Sequence, residues 1–286
     1  MHGVRVVSSG TEHSEPSRVS SSVITSSKDR RELLVPALAA VAALFFVVPL
    51  IGLLRRACWS TLASDLLLPD SLSALRLSLT CSLSATALAV LFGLPLALIL
   101  ARGQFWGRSL LRGLILLPLV LPPVVGGIAL LTAFSRTGII GEYLYDWFGI
   151  QLTFSTAGVI LAETFVALPF FVITAEAGLR SFDSQFEDVA RTLGAGPSET
   201  LRRVTLPIIA PSLIAGTVLA WARALGEFGA TITFAGNIVG RTQTLPLAIY
   251  AQLDSNPDAA IALSLVLLFV SLTVLIALRD KWLRPI

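Results

Sequence analysis

The side chains able to do chemistry in this chain are few. Its only histidines are His2 and His13, both in a serine-rich stretch at the N-terminus, so an imidazole-dependent intramembrane hydrolase and a zinc site with His ligands both lack their parts. Its only lysines are Lys28 and Lys281, and neither follows a glycine, so there is no loop of the kind that cradles ATP phosphates in P-loop proteins. Cys58 and Cys81 make no disulfide framework, and Cys81 reads as a small packing residue. No catalytic residue, metal site or cofactor is expected in this chain, and it is not expected to be an enzyme. The charges that remain inside apolar sequence are Glu163, Glu176, Arg223 and Glu227. An ionised group at mid-bilayer costs about 3 kcal/mol even on lenient scales, so such positions point to function or to pairing. Arg223 and Glu227, four apart on one helical face, can neutralise each other; a local ion pair and a place on a transport path both stay open. Glu163 and Glu176 read as structural acids, with Glu176 near enough to the inner boundary to reach water.

The elements that must position these residues follow from composition. The chain has 286 residues, a mean hydropathy of +0.81, 55% hydrophobic residues and 14% charged ones. A soluble domain carries roughly 25% charged residues, so lipid is the main solvent here. No charge occurs over 33–54, 77–101, 113–135, 204–222 or 259–278, and a sixth run, 147–175, is interrupted only by Glu163. Each run exceeds or approaches the roughly 20 helical residues that cross a bilayer core of about 30 Å. The runs are continuously apolar rather than alternating, which favours helices over a barrel. The fold class is therefore all-α: a polytopic membrane protein with about six transmembrane helices, at about 33–55, 75–101, 110–135, 155–179, 205–235 and 258–279. These lie in a membrane domain, 33–283, behind a disordered tail, 1–32. Pro49, Pro95, Pro118, Pro122, Pro123 and Pro169 interrupt the helical ladders, as suits a bundle that encloses a path and changes shape.

Basic residues set the orientation. One side receives Arg5, Arg18, Lys28, Arg30, Arg31, Arg102, Arg108, Arg112, Arg180, Arg191, Arg202, Arg203, Arg279, Lys281 and Arg284; the other receives only Arg55, Arg56, Arg136 and Arg241. By the positive-inside rule the first side is cytoplasmic, and with it both termini. The same bias accounts for the pI of about 9.2 without a nucleic-acid partner.

The most informative segment is the cytoplasmic loop 181–206. Ser184 followed by Glu187 has the spacing of a capping box, and Phe182, Phe186, Val189 and Leu193 form one apolar stripe. Gly194 then ends the helix and Pro197 restarts a second, giving two short helices in an elbow. Periodicity alone leaves open whether the elbow folds back on the bundle or is presented to a partner.

The residues of this loop resemble the cytoplasmic motif of the membrane subunits of binding-protein-dependent ABC importers: Glu-Ala-Ala, three residues, Gly, nine residues, Ile, one residue, Leu-Pro. Here Asp188-Val189-Ala190 stands for Glu-Ala-Ala, Gly194 follows at the right distance, and Val204, Leu206 and Pro207 close the pattern, with Glu187 as an extra acid. The resemblance implies the type-1 ABC importer permease fold. It also implies that Phe186, Glu187, Asp188, Val189, Ala190, Leu193, Gly194, Val204, Leu206 and Pro207 form a coupling helix and its setting, docked on a separate ATPase that holds ATP and Mg. Two copies of the permease and two ATP-binding cassette subunits would make the machine, in a bacterial plasma (inner) membrane.

A second signature runs from Ala222 through Arg223, Gly226-Glu227-Phe228-Gly229 and Thr231-Ile232-Thr233-Phe234-Ala235-Gly236-Asn237 to Gly240-Arg241-Thr242-Gln243-Thr244-Leu245-Pro246. It resembles the corresponding region of molybdate permeases; sulfate and thiosulfate permeases share its core. The resemblance implies import of molybdate, with sulfate, thiosulfate or tungstate as alternatives, delivered by an extracytoplasmic molybdate-binding protein. Arg223, Glu227, Thr231, Thr233 and Asn237 are the candidate path or gate residues, because a tetrahedral dianion wants hydroxyl and amide donors without a trap of dense positive charge. The hydroxyls bonding back to their own helix is the competing reading. A self-sufficient secondary transporter or channel is the alternative of a different class; the absence of a convincing internal repeat weighs against it.

Overall fold

The computed structural model describes the backbone of residues 25–282 and the side chains of 35–276. The chain divides into two units, Met1–Arg55 and Arg56–Ile286. The first holds α1 (Thr25–Arg56), a continuous helix with Pro36 and Pro49 inside it. It starts before the expected boundary at residue 33, so the helix takes in part of the expected tail, the rest of which lies outside the described residues. Lys28, Arg30, Arg31 and Glu32 are good helix formers and carry the register out of the apolar stretch.

The second unit is built on three long helices: α3 (Pro69–Arg102), α7 (Thr156–Ser181) and α10 (Leu206–Leu225). Around them stand α2 (Leu62–Leu66), α4 (Arg108–Val120), α5 (Pro123–Phe134), α6 (Gly141–Phe148), α8 (Gln185–Thr192), α9 (Pro197–Thr200), α11 (Gly229–Ala235), α12 (Leu245–Gln252) and α13 (Pro257–Trp282). Helix α7 lies between α3 and α10 and contacts both along its length. The shared core is made of small residues: Ala85, Ala89 and Ala97 of α3, Ala167 and Ala175 of α7, and Ala220 and Ala224 of α10, filled out by Phe171, Val172 and Leu100. Lipid is as apolar as these side chains, so helices associate through close van der Waals contact, which small residues permit. The approach is tightest at Gly178, where an added Cβ would lie 2.5 Å from Ser212 Cβ on α10.

Two expected spans are broken. The span at 110–135 is a pair, α4 and α5, bent by 119°. The cause is the Pro122-Pro123 pair. A residue preceding proline is pushed out of the helical region, and Leu121 (ψ 136°) and Pro122 (ψ 134°) are both extended for that reason. At about 1.5 Å per residue neither half is long enough to cross alone. Together they carry the chain from one end of α7, where Arg112 of α4 reaches Glu176, toward the other, where Leu130 of α5 packs on Ala162 and Val166.

The span at 205–235 is also not one helix. A single π-helical turn, Leu201–Thr205, joins α9 to α10 without a gap, but α10 stops at Leu225 and α11 restarts at Gly229. Gly226 ends the first helix, and the Glu227 carboxylate accepts the Ala230 N–H (2.7 Å), starting the second. Gly236 at φ +75° ends α11. Helix α11 packs on α5 so closely that a Cβ on Gly127 would lie 2.6 Å from Thr233 Cβ and 2.9 Å from the Ala230 carbonyl oxygen.

Replacing Gly178 or Gly127 by valine forces side chain against Cβ and backbone across these contacts, and overpacking of this kind costs about 1–3 kcal/mol. Each variant is expected to melt several degrees below the parent in detergent, by tryptophan fluorescence, whereas Gly52→Val, with open space around it, leaves the transition in place.

Candidate functional site

The loop 181–206 forms an elbow of α8 and α9. Helix α8 is not started by the Ser184/Glu187 capping box, because Ser184 makes no side-chain cap; Asp183 Oδ1 instead accepts the Gln185 N–H at 2.9 Å. Gly194 at φ +90° closes the helix with paired bonds, its own N–H donating to the Arg191 carbonyl and the Ala195 N–H to the Ala190 carbonyl, both at 3.0 Å. Pro197 stands at the first position of α9, where its missing N–H costs nothing.

One face of α8 is unfinished. Phe186 (56% exposed), Val189 (58%) and Leu193 (84%) point away from the protein, with Asp188 exposed beside them. Burying an apolar side chain of this size is worth about 1.5–3 kcal/mol, so a continuous exposed stripe is a candidate contact surface. Phe182, at the root of the stripe, packs instead on the core of α3, α7 and α10, its ring centroid 6.1 Å from that of Phe186.

Not every motif residue belongs to that face. Ala190 is half-buried, as are Val204 and Leu206, and Leu206 packs on the helix core; Pro207, just beyond, is exposed. Glu187 differs from its neighbours on α8 in facing inward: it is 5% exposed, and its Oε1 accepts the Thr205 hydroxyl at 2.5 Å and pairs with Arg102 at the end of α3. Glu176 is likewise not in water. It is buried, with Arg112 and Arg180 (2.8 Å) both on its Oε1. Arg108 adds a third tie at this level, its Nε donating to the Leu100 carbonyl at 2.9 Å. Arg102, Arg108, Arg112 and Thr205 make ties that the sequence does not reveal, since the arginines carry weight there only as topology charges.

At the far end of α10, Arg223 and Glu227 form the pair expected from their spacing, Nη2 to Oε2 at 2.5 Å, with Glu227 fully buried. The carboxylate thus closes one helix and opens the next. Thr231 is buried, and its hydroxyl has no hydrogen-bond partner among the described residues. Thr233 is half-buried and its hydroxyl donates to the Gly229 carbonyl at 2.8 Å, so its proton is committed to its own helix and not offered to an anion. Asn237 is exposed in the loop after α11. That loop is itself tied down: the Ile238 N–H donates to Thr242 Oγ1 at 2.8 Å, and the Leu245 N–H donates to Ser78 Oγ on α3 at 2.5 Å. Glu163 is buried on α7, its Oε2 without a partner among the described residues.

Glu227→Ala removes the carboxylate that starts α11 and leaves the Arg223 guanidinium uncompensated. Loss of the cap alone costs about 1 kcal/mol, and the orphaned charge adds to it. The variant is expected to melt lower than Glu227→Gln, which keeps an acceptor for the Ala230 N–H; equal melting would remove the capping role.

Comparison with known proteins places this geometry. Residues 93–285 match the family described as the binding-protein-dependent transport system inner membrane component. The chain is 50% identical over 253 residues to the molybdenum transport system permease protein ModB of Mycobacterium tuberculosis, covering 88% of this chain and 94% of that protein. It is 36% identical over 240 residues to the sulfate transport system permease protein CysT of Salmonella typhimurium, covering 82% and 86%. Among solved structures it is similar, with a TM-score of 0.66 and 20% identity over 89% of this chain and 96% of the other, to a chain of a bacterial ABC transporter involved in the import of the acidic polysaccharide alginate.

Proposed function

This chain belongs to the binding-protein-dependent transport system inner membrane components, and from that membership we propose that it is the molybdate-conducting subunit of an ATP-driven importer. It forms the translocation path by alternating access and hydrolyses nothing itself. Two copies enclose the path, each seated through α8 and α9 on one of two ATP-binding cassette subunits that hold ATP and Mg. An extracytoplasmic molybdate-binding protein delivers the anion at the other face. The subunit spans a bacterial plasma membrane with both termini in the cytoplasm, the side favoured by its basic loops.

The observation that carries this reading is the outward stripe of Phe186, Val189 and Leu193, with Asp188 beside it, on a loop joined directly to α7 and α10. A motor closing under two such elbows carries them together, and the attached helices tilt; the spans then exchange one facing state for another. For the anion, similarity is higher and more extensive to the molybdenum permease than to the sulfate permease. The side chains near the outer break of α10 supply little that would discriminate between tetrahedral dianions, which supports placing selectivity in the delivering protein.

Co-expression with the ATPase tests the docking surface. Asp188→Arg and Gly194→Val are expected to lose at least about tenfold of the co-purifying ATPase, the scale of one lost hot spot. Glu142→Gln, on α6, keeps it. Retention in all three would overturn the reading. In vesicles loaded with the whole complex, uptake of labelled molybdate is expected to be inhibited by tungstate more than by sulfate; the reverse order would assign the importer to sulfate.

A further inference from the structure

Glu187 stands between two exposed residues, Phe186 and Asp188, and is the member of this turn that faces inward. Its carboxylate gathers three segments of the chain: Arg102 at the last residue of α3, Thr205 at the residue before α10 (2.5 Å), and Arg191 one turn further along α8 (3.4 Å). Among the described residues these are the polar side-chain ties from α8 to α3 and to the start of α10. On either side it is joined by short turns, Phe182–Ser184 before it and Leu193–Gly196 after it, the second containing the left-handed Gly194. Such an eight-residue helix can pivot about its two turns unless something fixes it to the spans.

We propose that Glu187 is the positioning residue that fastens the elbow to the inner ends of α3 and α10, so that displacement of α8 becomes displacement of those helices. The proposal rests on the reading of α8 as the seat of an ATPase. The chemistry suits the task. Bonds from a guanidinium and a hydroxyl to a carboxylate are short and charge-assisted, and they hold direction as well as distance. Burial excludes the water that would otherwise compete for the same oxygens. Asp188, one residue on, is exposed and serves the outward face. The two adjacent acids therefore divide the labour: Asp188 meets the partner, and Glu187 passes the motion inward.

The test uses the complete complex of permease, ATPase and molybdate-binding protein in vesicles, with two readouts: ATPase retained on the permease, and molybdate taken up per ATP hydrolysed. Glu187→Gln keeps the shape and an acceptor for Thr205 but loses the charge that holds Arg102. It is expected to retain its ATPase while uptake per ATP falls at least about tenfold, the scale of one charged hydrogen bond. Arg102→Lys shifts the ratio in the same direction by less, and Glu187→Gln combined with Arg102→Lys is no worse than Glu187→Gln alone, because both act through one contact. If the Glu187→Gln permease does not itself fold and insert, Thr205→Val, which removes only the hydroxyl, decides by the same ratio. An unchanged ratio in the assembled variants overturns the proposal, and so does loss of the ATPase from Glu187→Gln, which would make Glu187 a docking contact. Retention of the ATPase by Asp188→Arg and Gly194→Val is a separate result and overturns the docking reading beneath it.

Discussion

The fold depends on how closely α7 approaches its two neighbours. In lipid there is little hydrophobic gain when one apolar helix meets another, so what holds α3, α7 and α10 together is contact area at short range. Alanines supply that range on all three helices, and Gly178 and Gly216 let α10 come nearer still, with Ser212 and Thr174 filling the space their missing side chains leave. Such an interface has few arrangements. It either seats or it does not, which is the property a helix needs if it is to move as a unit rather than deform.

Polar groups then appear where the close-packed helices end. Glu176 sits near the last turn of α7 and takes two arginines, one of them from α4; Glu187 sits on the elbow and takes Arg102 and Thr205; Glu227 sits past the end of α10 and takes Arg223 and the Ala230 N–H in the first turn of α11. Each carboxylate is buried, and a buried charge persists only with its hydrogen bonds made. These three are satisfied at helix junctions, where orphan donors and basic side chains are available. The packing fixes the bodies of the helices, and the carboxylates fix the joints between them.

Much of this was legible in the sequence because hydropathy and turn chemistry are local. The apolar runs located α3, α7 and α13, and Gly194 and Pro197 located the two halves of the elbow from single residues. The breaks were less legible. The run 113–135 is apolar throughout, and nothing in its hydropathy distinguishes one kinked span from two helices at 119°; that difference lies in two successive residues each placed before a proline. At 205–235 the charges Arg223 and Glu227 have the spacing of a pair within one helix, while the second helix is started by that same carboxylate accepting a backbone N–H. The role of Glu187 was hidden for a different reason. Its decisive partner, Arg102, is 85 residues away, and the spacing that suggested a capping box described a local alternative that the tertiary contact displaced. Thr233 shows the opposite case, a residue whose type fits anion binding while its hydroxyl is spent one turn back along its own helix.

The placement of the joints gives α10 a particular standing. Thr205, immediately before it, is bonded to Glu187 of the elbow, and Arg223, in its last turn, is bonded to Glu227 at the break that follows. The helix itself has 20 residues, about 30 Å of continuous hydrogen-bonded backbone. A helix of that length transmits axial displacement with little loss, and it is gripped along one side by α7. The π-helical turn at its start makes α9 and α10 one continuous rod rather than two elements joined by a loop. On the proposed reading of the elbow, its displacement arrives at the Glu227 joint, where the rod ends and a short helix packed tightly on α5 begins. A break at that position, held by one carboxylate rather than by helical backbone, is where rigid motion on one side can become a change of shape on the other.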